Sequence, residues 1–447
     1  MKQQLALICI LWTLPLVLGS LVGPVFTGGT AFAEEQQERR SVPPMRERTY
    51  KVLAEAQLLI DPEAVPVAEG EEKPDVQANP QAAIKMLMDL KDRRGINTYE
   101  LAQIWNTLAF AYYTIDDVPA TMRAYENVLK ETITEALELS SLRALFQLHY
   151  SREEYREALR YIERWQTLKG TPDPDVTYIK ATAYYQLDDF QNALREALRA
   201  EQIAIEQERT IKESWWYIQV VIYNELKDYK SVINVLEKLI VNYPKKQYWM
   251  HLAGMYAETD QNDRALSAYY AAYTQGLFDK ESEMVMLSQR LLNAEVPYEA
   301  AQILEKGFKA GLIEENEKNI KLLATAYTMA QETGKAIDAW RDATRYTEDG
   351  ELHYRLAQAL SQADRHAEAI DAYRNAIRKG GVEDQLSDIQ FWLGISLMQL
   401  ERWDEATTAF REAAKDDDKE KNARQYIRYI AGEKRRQEEL RKMLEAD

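Results

Sequence analysis

Cysteine is almost absent from this sequence of 447 residues, and the single one, Cys9, lies in an apolar N-terminal stretch. One thiol cannot form an intramolecular disulfide or supply the paired thiolates of a structural zinc site. If the N-terminal stretch is removed as a leader, no thiol remains, and a cysteine nucleophile is excluded as well. A chain without cysteine suits an oxidising compartment.

Glycine and proline are scarce, with 17 and 13 residues. Sheet proteins need many tight turns, and these two residues supply the backbone conformations that such turns require. The composition therefore favours an all-helical chain. Because 447 residues are too many for one hydrophobic core, several domains or an array of repeats are expected.

The sequence has no strongly basic block, and its formal net charge is −17. A protein that binds nucleic acid needs a cationic surface to displace counterions from phosphates. Peripheral attachment to anionic lipid needs a cationic surface for the same reason. The charge balance therefore predicts that neither nucleic acid nor a lipid surface is the partner.

Residues with catalytic or metal-binding chemistry occur in no recognisable pattern. The four histidines are His149, His251, His353 and His366, and none has a second ligand at metal-binding spacing. The sequence also lacks a glycine-rich phosphate loop and a nucleophile elbow. We therefore predict no catalytic residue, no metal, no cofactor and no small-molecule substrate.

The first 33 residues have the features of a secretory signal peptide. Lys2 precedes an apolar run, and Ala31-Phe32-Ala33 offers the small-x-small pattern that signal peptidase accepts. We expect cleavage after Ala33. The alternative is an uncleaved inner-membrane anchor, because the apolar run is nearly long enough to span a bilayer.

One pattern recurs along the rest of the chain, and residues 391–414 show it most clearly. In this segment a small residue follows a leucine on a first helix, and alanines and aromatics recur on a second helix. The residues that carry the pattern are Leu393, Gly394, Leu397, Trp403, Ala406, Phe410 and Ala413. Small side chains are needed where two antiparallel helices cross closely, and larger ones fill the space between hairpins. The pattern resembles the tetratricopeptide repeat (TPR).

The small-residue position recurs nine times, at intervals of 33 to 39 residues. Phe146 and Val220 are larger than the motif favours, which predicts a wider helix crossing or a one-residue offset in those two repeats. The nine positions are Ala109, Phe146, Ala181, Val220, Ala253, Ser288, Ala324, Ala357 and Gly394. The resemblance implies an all-α, right-handed TPR solenoid of about nine to ten helix-turn-helix repeats with a C-terminal capping helix.

Four segments are expected from this pattern. Residues 1–33 form the signal peptide, and residues 34–98 form a degenerate first repeat with helices at 46–60 and 80–90. An acidic, proline-containing loop separates those two helices. Residues 99–417 form the TPR array, and the charged residues 418–447 form a capping helix with a polar outer face.

The repeat frame also predicts a partner-binding groove on the first helix of each hairpin. Tyr113, Tyr150 and Tyr185 occupy one frame position in successive repeats and would form a stripe suited to protein recognition. Alternatively, these rings pack between hairpins. The candidate groove residues are Asn106, Phe110, Tyr113, Arg143, Gln147, Tyr150, Tyr178, Thr182, Tyr185, Tyr217 and Asn224. In the C-terminal half the lining is more apolar, with Met250, Val285, Leu292, Tyr354, Phe391, Ile395 and Met398, and only Lys321 fits a carboxylate clamp.

Two segments, residues 41–63 and 243–331, resemble a narrower group of proteins. These are the periplasmic TPR proteins associated with TonB–ExbB–ExbD energy-transduction systems of Gram-negative bacteria. The resemblance implies a periplasmic scaffold that assists outer-membrane transport by docking on TonB, ExbD or an outer-membrane TonB-dependent receptor. The alternative is a periplasmic TPR scaffold for outer-membrane protein assembly, secretion or peptidoglycan synthesis.

Overall fold

The structure is a computed structural model that describes residues 40–63 and 76–446. These residues form 21 α-helices and one short 3-10 helix, and none of them forms a strand. None of their helices combines the length and the apolar character needed to cross a bilayer. The all-helical repeat fold is confirmed. The leader and most of the predicted acidic loop lie outside the described residues.

The helices divide into two compact units, one ending at Tyr243 and the other beginning at Pro244. The first unit contains five antiparallel hairpins, and the two helices of each hairpin pack against each other. Its ten helices are α1 (Glu47–Ile60), α2 (Pro80–Lys91), α3 (Thr98–Thr114), α4 (Val118–Val128), α5 (Glu135–Ser151), α6 (Tyr155–Lys169), α7 (Pro174–Gln186), α8 (Phe190–Glu206), α9 (Glu213–Glu225) and α10 (Tyr229–Asn242).

The second unit contains five further hairpins and a long terminal helix. A 3-10 turn at Glu383–Gln385 precedes the first helix of its last hairpin. The helices are α11 (Lys246–Glu258), α12 (Asn262–Thr274), α13 (Glu281–Asn293), α14 (Pro297–Lys309), α15 (Glu317–Met329), α16 (Thr333–Ala343), α17 (Glu351–Gln362), α18 (His366–Lys379), α19 (Leu386–Gln399), α20 (Trp403–Ala413) and α21 (Asp417–Ala446).

All nine small-residue positions of the sequence frame are buried in the structure. At Gly394 the reason is direct, because a Cβ atom there would lie 2.9 Å from the ring of Phe410. The residue sixteen positions later varies in size between hairpins. It is Phe410 after Gly394 and Ile162 after Phe146, but it is Ala197 after Ala181.

The turn between the two helices of a repeat also follows the frame. Ten non-glycine residues in the described chain have a left-handed φ, and nine of them lie seven positions after a small-residue position. Glu153 (φ 62°) and Lys227 (φ 58°) obey this rule after Phe146 and Val220. The predicted one-residue offset is therefore absent from these two repeats.

The first and last hairpins are held by specific contacts. Arg46, just before α1, donates to the buried carboxylate of Glu100 at the start of α3 through Nε (2.9 Å) and Nη2 (2.5 Å). Burial alone would raise the pKa of Glu100, but the hydrogen bonds from Arg46 and the backbone lower it to about 2. At the other end Tyr426 of α21 stacks on Phe410 with centroids 5.1 Å apart. The terminal helix thus covers the core of the last hairpin.

The left-handed turn residues give a test of the frame. Glu295 (φ 59°) is exposed between α13 and α14. Its left-handed backbone conformation is unfavourable for a residue with a Cβ atom, but glycine adopts it freely. We expect Glu295→Gly to stabilise the protein by about 0.5 to 1 kcal/mol. Gln302→Gly, at an exposed position inside α14, should destabilise it by about 1 kcal/mol. Thermal unfolding measures both changes, and destabilisation by Glu295→Gly would contradict the assigned turn.

Candidate partner-binding face

The first helix of each hairpin presents one face that the repeat frame defines. It consists of the residues three before, one after and four after the small-residue position. Residues with these spacings of three and four lie on one side of a helix. We call this side the A face. On α5, for example, it consists of Arg143, Gln147 and Tyr150.

The predicted groove residues lie on the A face of the first unit, at α3, α5, α7 and α9. Their solvent exposure differs widely along this face. Tyr113 and Asn224 are exposed, and Asn106, Phe110, Arg143, Gln147 and Tyr217 are partly buried. Tyr150, Tyr178, Thr182 and Tyr185 are buried. A partner could therefore reach the first seven of these side chains, and the last four are covered by the protein itself.

The predicted tyrosine stripe is not a continuous exposed surface. Tyr113 is 45% exposed, but Tyr150 and Tyr185 are only 6% and 1% exposed. The ring of Tyr185 packs on Phe190 with centroids 5.8 Å apart, at the start of the second helix of its own hairpin. The ring of Tyr150 packs on Tyr155 at the equivalent place, at 5.2 Å. The expectation of a solvent-facing stripe is thus wrong for two of its three members, because these two rings pack against the start of the second helix of their own hairpins.

Two other predicted residues, Arg143 and Gln147 of α5, have unsatisfied polar atoms. The guanidinium of Arg143 lies over the ring of Trp165, 5.6 Å from its centroid. Its Nε and the Oε1 of Gln147 are shielded from water and have no hydrogen-bond partner within the described chain. Buried polar atoms are normally paired, and leaving one unpaired is energetically unfavourable. Because both atoms are covered by the protein, a partner can reach them only after the side chains move.

The second unit has a cavity of about 560 Å³ at α13 and the start of α15. Val285 and Gln289 on its wall are A-face residues of α13, so the cavity lies on the face that the frame defines. Its lining includes the apolar Val285 and Met286 and the basic Lys280 and Lys318. The complete lining is Lys280, Glu281, Ser282, Val285, Met286, Gln289, Lys318 and Asn319.

Sequence reasoning identified only Val285 of this cavity. Ser282 and Lys318 lie six residues before the small-residue positions of their repeats, and the same frame would have found them. Asn319 could not be found in this way. It is 2% exposed and donates to Glu281 (3.0 Å) and to the backbone of Glu314 (2.9 Å), so it fixes the rim.

Lys321, the one residue that fits a carboxylate clamp, is already paired with Glu351 at 3.0 Å. The ammonium charge of Lys321 is thus largely neutralised within the chain. Of the other predicted lining residues in the second unit, Val285, Leu292 and Tyr354 are buried. Met250, Phe391, Ile395 and Met398 are partly buried.

The histidines take part in packing. His149 contacts Glu154 through Nδ1 (2.7 Å) and stacks on Tyr161 with centroids 5.2 Å apart. Burial lowers the pKa of His251 and of His353. Within residues 40–63 and 76–446, no three His, Cys, Asp or Glu side chains are arranged to hold a metal ion.

The two environments of the A-face tyrosines can be separated by mutation. Tyr185→Ala removes a buried ring and should destabilise the protein by about 3 to 5 kcal/mol. Tyr113→Ala removes a largely exposed ring and should change stability by less than about 0.5 kcal/mol. Thermal or urea unfolding measures both. Equal effects of the two substitutions would show that the assignment of Tyr185 to the core is wrong.

Comparison with known proteins agrees with this repeat frame. A family model described as the tetratricopeptide repeat matches residues 143–208, 322–384 and 354–422. No curated protein matches the sequence.

Similar solved structures are of low identity. MamA is 20% identical, with 38% of this chain and 97% of that chain aligned, at a TM-score of 0.32. YrrB, a TPR protein with an unusual peptide-binding site, is 17% identical over 40% of this chain and 90% of that chain, at a TM-score of 0.32. The TPR2AB domain of yeast Sti1 in complex with pHSP90 is 15% identical over 66% of this chain and 96% of that chain, at a TM-score of 0.27. With nine buried crossings in one frame and three segments matched by the family model, this chain is a tetratricopeptide-repeat protein, built from repeats that mediate protein–protein interactions.

Proposed function

We propose that the protein is an exported, periplasmic scaffold that binds other proteins through its A face. We further propose that it is an accessory component of a TonB–ExbB–ExbD energy-transduction system. In this role it docks on TonB, on ExbD or on an outer-membrane TonB-dependent receptor, and it carries out no chemical step itself.

The observation that carries the binding role is the cavity on the A face of α13. Its volume, about 560 Å³, is large enough for one or two side chains of a partner. Met286 provides apolar contact, Gln289 and Lys318 provide polar contact, and Val285 is only 9% exposed. Six of the eight lining residues are polar or charged, as at the polar rim of a protein interface.

The A face of α5 offers a second point of contact. Arg143 and Gln147 are both partly exposed, so a partner can contact these two side chains. Nε of Arg143 and Oε1 of Gln147 are covered by the protein and pair with a partner only if the side chains move.

The assignment to an energy-transduction system rests on the sequence. Residues 41–63 and 243–331 resemble the periplasmic TPR proteins of TonB–ExbB–ExbD systems, and the features of residues 1–33 are those of an export signal. The segment 243–331 includes α13 and the cavity lining up to Asn319. The resemblance is thus strongest in the part of the chain that carries the candidate site.

Affinity capture tests both parts of the proposal. The tagged protein is cross-linked in intact cells, and the proteins captured with it are identified by mass spectrometry. Enrichment of TonB, ExbD or a TonB-dependent receptor is the expected result. Enrichment of machinery for outer-membrane protein assembly, secretion or peptidoglycan synthesis would overturn the energy-transduction role and leave the scaffold role intact.

A matched pair of variants tests the role of the cavity. Ser282→Arg with Gln289→Arg fills the cavity from two exposed positions. Ser267→Arg with Gln302→Arg makes the same chemical change at exposed positions of the second helices α12 and α14. The cavity variant should lose at least about nine-tenths of the captured partner, and the control should retain it. Equal capture by both variants would show that the cavity is not the binding site.

A further inference from the structure

The outer side of α21 carries a line of positive charge that the A face does not explain. Lys421, Arg428, Arg435 and Lys442 occur at intervals of seven residues and are all exposed. Seven residues are nearly two helical turns, so these side chains point to one side and lie about 10 Å apart along the axis. We call these four residues the cationic stripe.

Three of the four stripe residues differ from most of the other basic residues of the terminal helix. Lys419, Arg424, Lys434, Arg436 and the stripe's own Lys442 each contact a carboxylate of the chain. Lys421, Arg428 and Arg435 have no ion-pair partner among the described residues. In a chain with a net charge of −17, three unpaired cations in line are an unusual local excess of positive charge.

The middle of the stripe is also unusually flat. Ala431 and Gly432 lie between Arg428 and Arg435, and both are exposed. A Cβ atom at Gly432 would meet nothing within 4 Å, so packing within the chain does not require glycine there. Glycine inside an exposed helix lowers helix stability relative to alanine. Glycine at this position leaves room for another backbone to approach closely.

We propose that the cationic stripe is a second docking surface, which binds an acidic α-helical segment of a partner protein. A helix with a carboxylate at every seventh residue repeats at the same spacing of about 10 Å as the stripe. Its carboxylates pair with Lys421, Arg428 and Arg435, and its backbone packs over Ala431 and Gly432. Arginine favours this pairing because its guanidinium can bind a carboxylate through two parallel hydrogen bonds.

A membrane surface is a poorer fit to the same charges. Helices that bind at a lipid interface insert bulky apolar side chains beside the cations. The centre of the stripe offers only Ala431 and Gly432. Tyr429, Leu440 and Leu444 are exposed, but they point about 100° or more away from Arg428 around the helix axis. Of the large exposed apolar side chains of α21, Met443 alone points within about 60° of Arg428. The outer side of α21 is thus shaped for close contact with another helix.

Binding of defined probes to the purified protein tests the proposal. The first probe is a synthetic helical peptide with glutamate at every seventh position and alanine between the glutamates. The second is an isomer with the same composition in which the glutamates do not share a face. We expect the first peptide to bind at least tenfold more tightly than the second, with an affinity that falls as salt is raised. Equal affinity for the two peptides would overturn the proposed register.

Charge-reversal variants identify the surface. Lys421→Glu, Arg428→Glu and Arg435→Glu together should weaken binding of the first peptide at least tenfold. Arg123→Glu, Arg156→Glu and Arg199→Glu change the net charge equally at exposed positions of α4, α6 and α8, and they should leave binding within about twofold. Equal weakening by both sets would show that binding follows net charge and would overturn the assignment to α21.

Gly432→Leu tests the close approach without changing charge. The leucine has free space and should not lower the melting temperature, yet it should weaken peptide binding at least fivefold. Unchanged binding by this variant would contradict the packed contact.

Vesicles of phosphatidylglycerol and phosphatidylcholine are the remaining probe. If the stripe binds vesicles and does not bind the peptide, its ligand is a lipid surface and the proposed helix is wrong.

Discussion

The crossing of the two helices in each hairpin is the contact on which the other features of this protein depend. At Gly394 the two helices approach so closely that a single added carbon atom would lie 2.9 Å from the ring of Phe410. Where the first helix carries Phe146, Ile162 lies sixteen positions later, and both side chains are buried in one hydrophobic cluster. Nine crossings of this kind fix the register of nine hairpins, and the left-handed residue seven positions later returns the chain to the second helix.

That register decides which side chains remain for binding. Once the small-residue position points at the second helix, the A-face residues lie about 40° to 100° further around the first helix, beside the crossing. Arg143 and Gln147 in the first unit, and Val285 and Gln289 in the second, are on this face for the same geometrical reason. The inner side of the terminal helix α21 covers Phe410, and its outer side is exposed and carries the cationic stripe.

Much of this architecture could be predicted from the sequence, because the crossing imposes a size pattern that residue types reveal. The expected first helix, 46–60, and its partner, 80–90, agree within one residue with Glu47–Ile60 and Pro80–Lys91. The roles of the tyrosines could not be predicted in the same way. Tyr113, Tyr150 and Tyr185 occupy equivalent positions, yet two of them are buried by contact with Tyr155 and Phe190. The cavity at α13 was missed because its rim depends on the hydrogen bonds of Asn319 across two repeats, which no periodic pattern shows.

Site-specific photo-crosslinking in living cells tests the central claim most directly, that the A face binds protein partners. A photoreactive phenylalanine analogue is placed at Gln289 on the A face or at Gln302 on the second helix α14, both exposed positions in the same repeat. The account predicts a discrete covalent adduct with another protein from position 289 and none from position 302. Adducts from position 302 alone, or equal adducts from both positions, would contradict the assignment of binding to the A face.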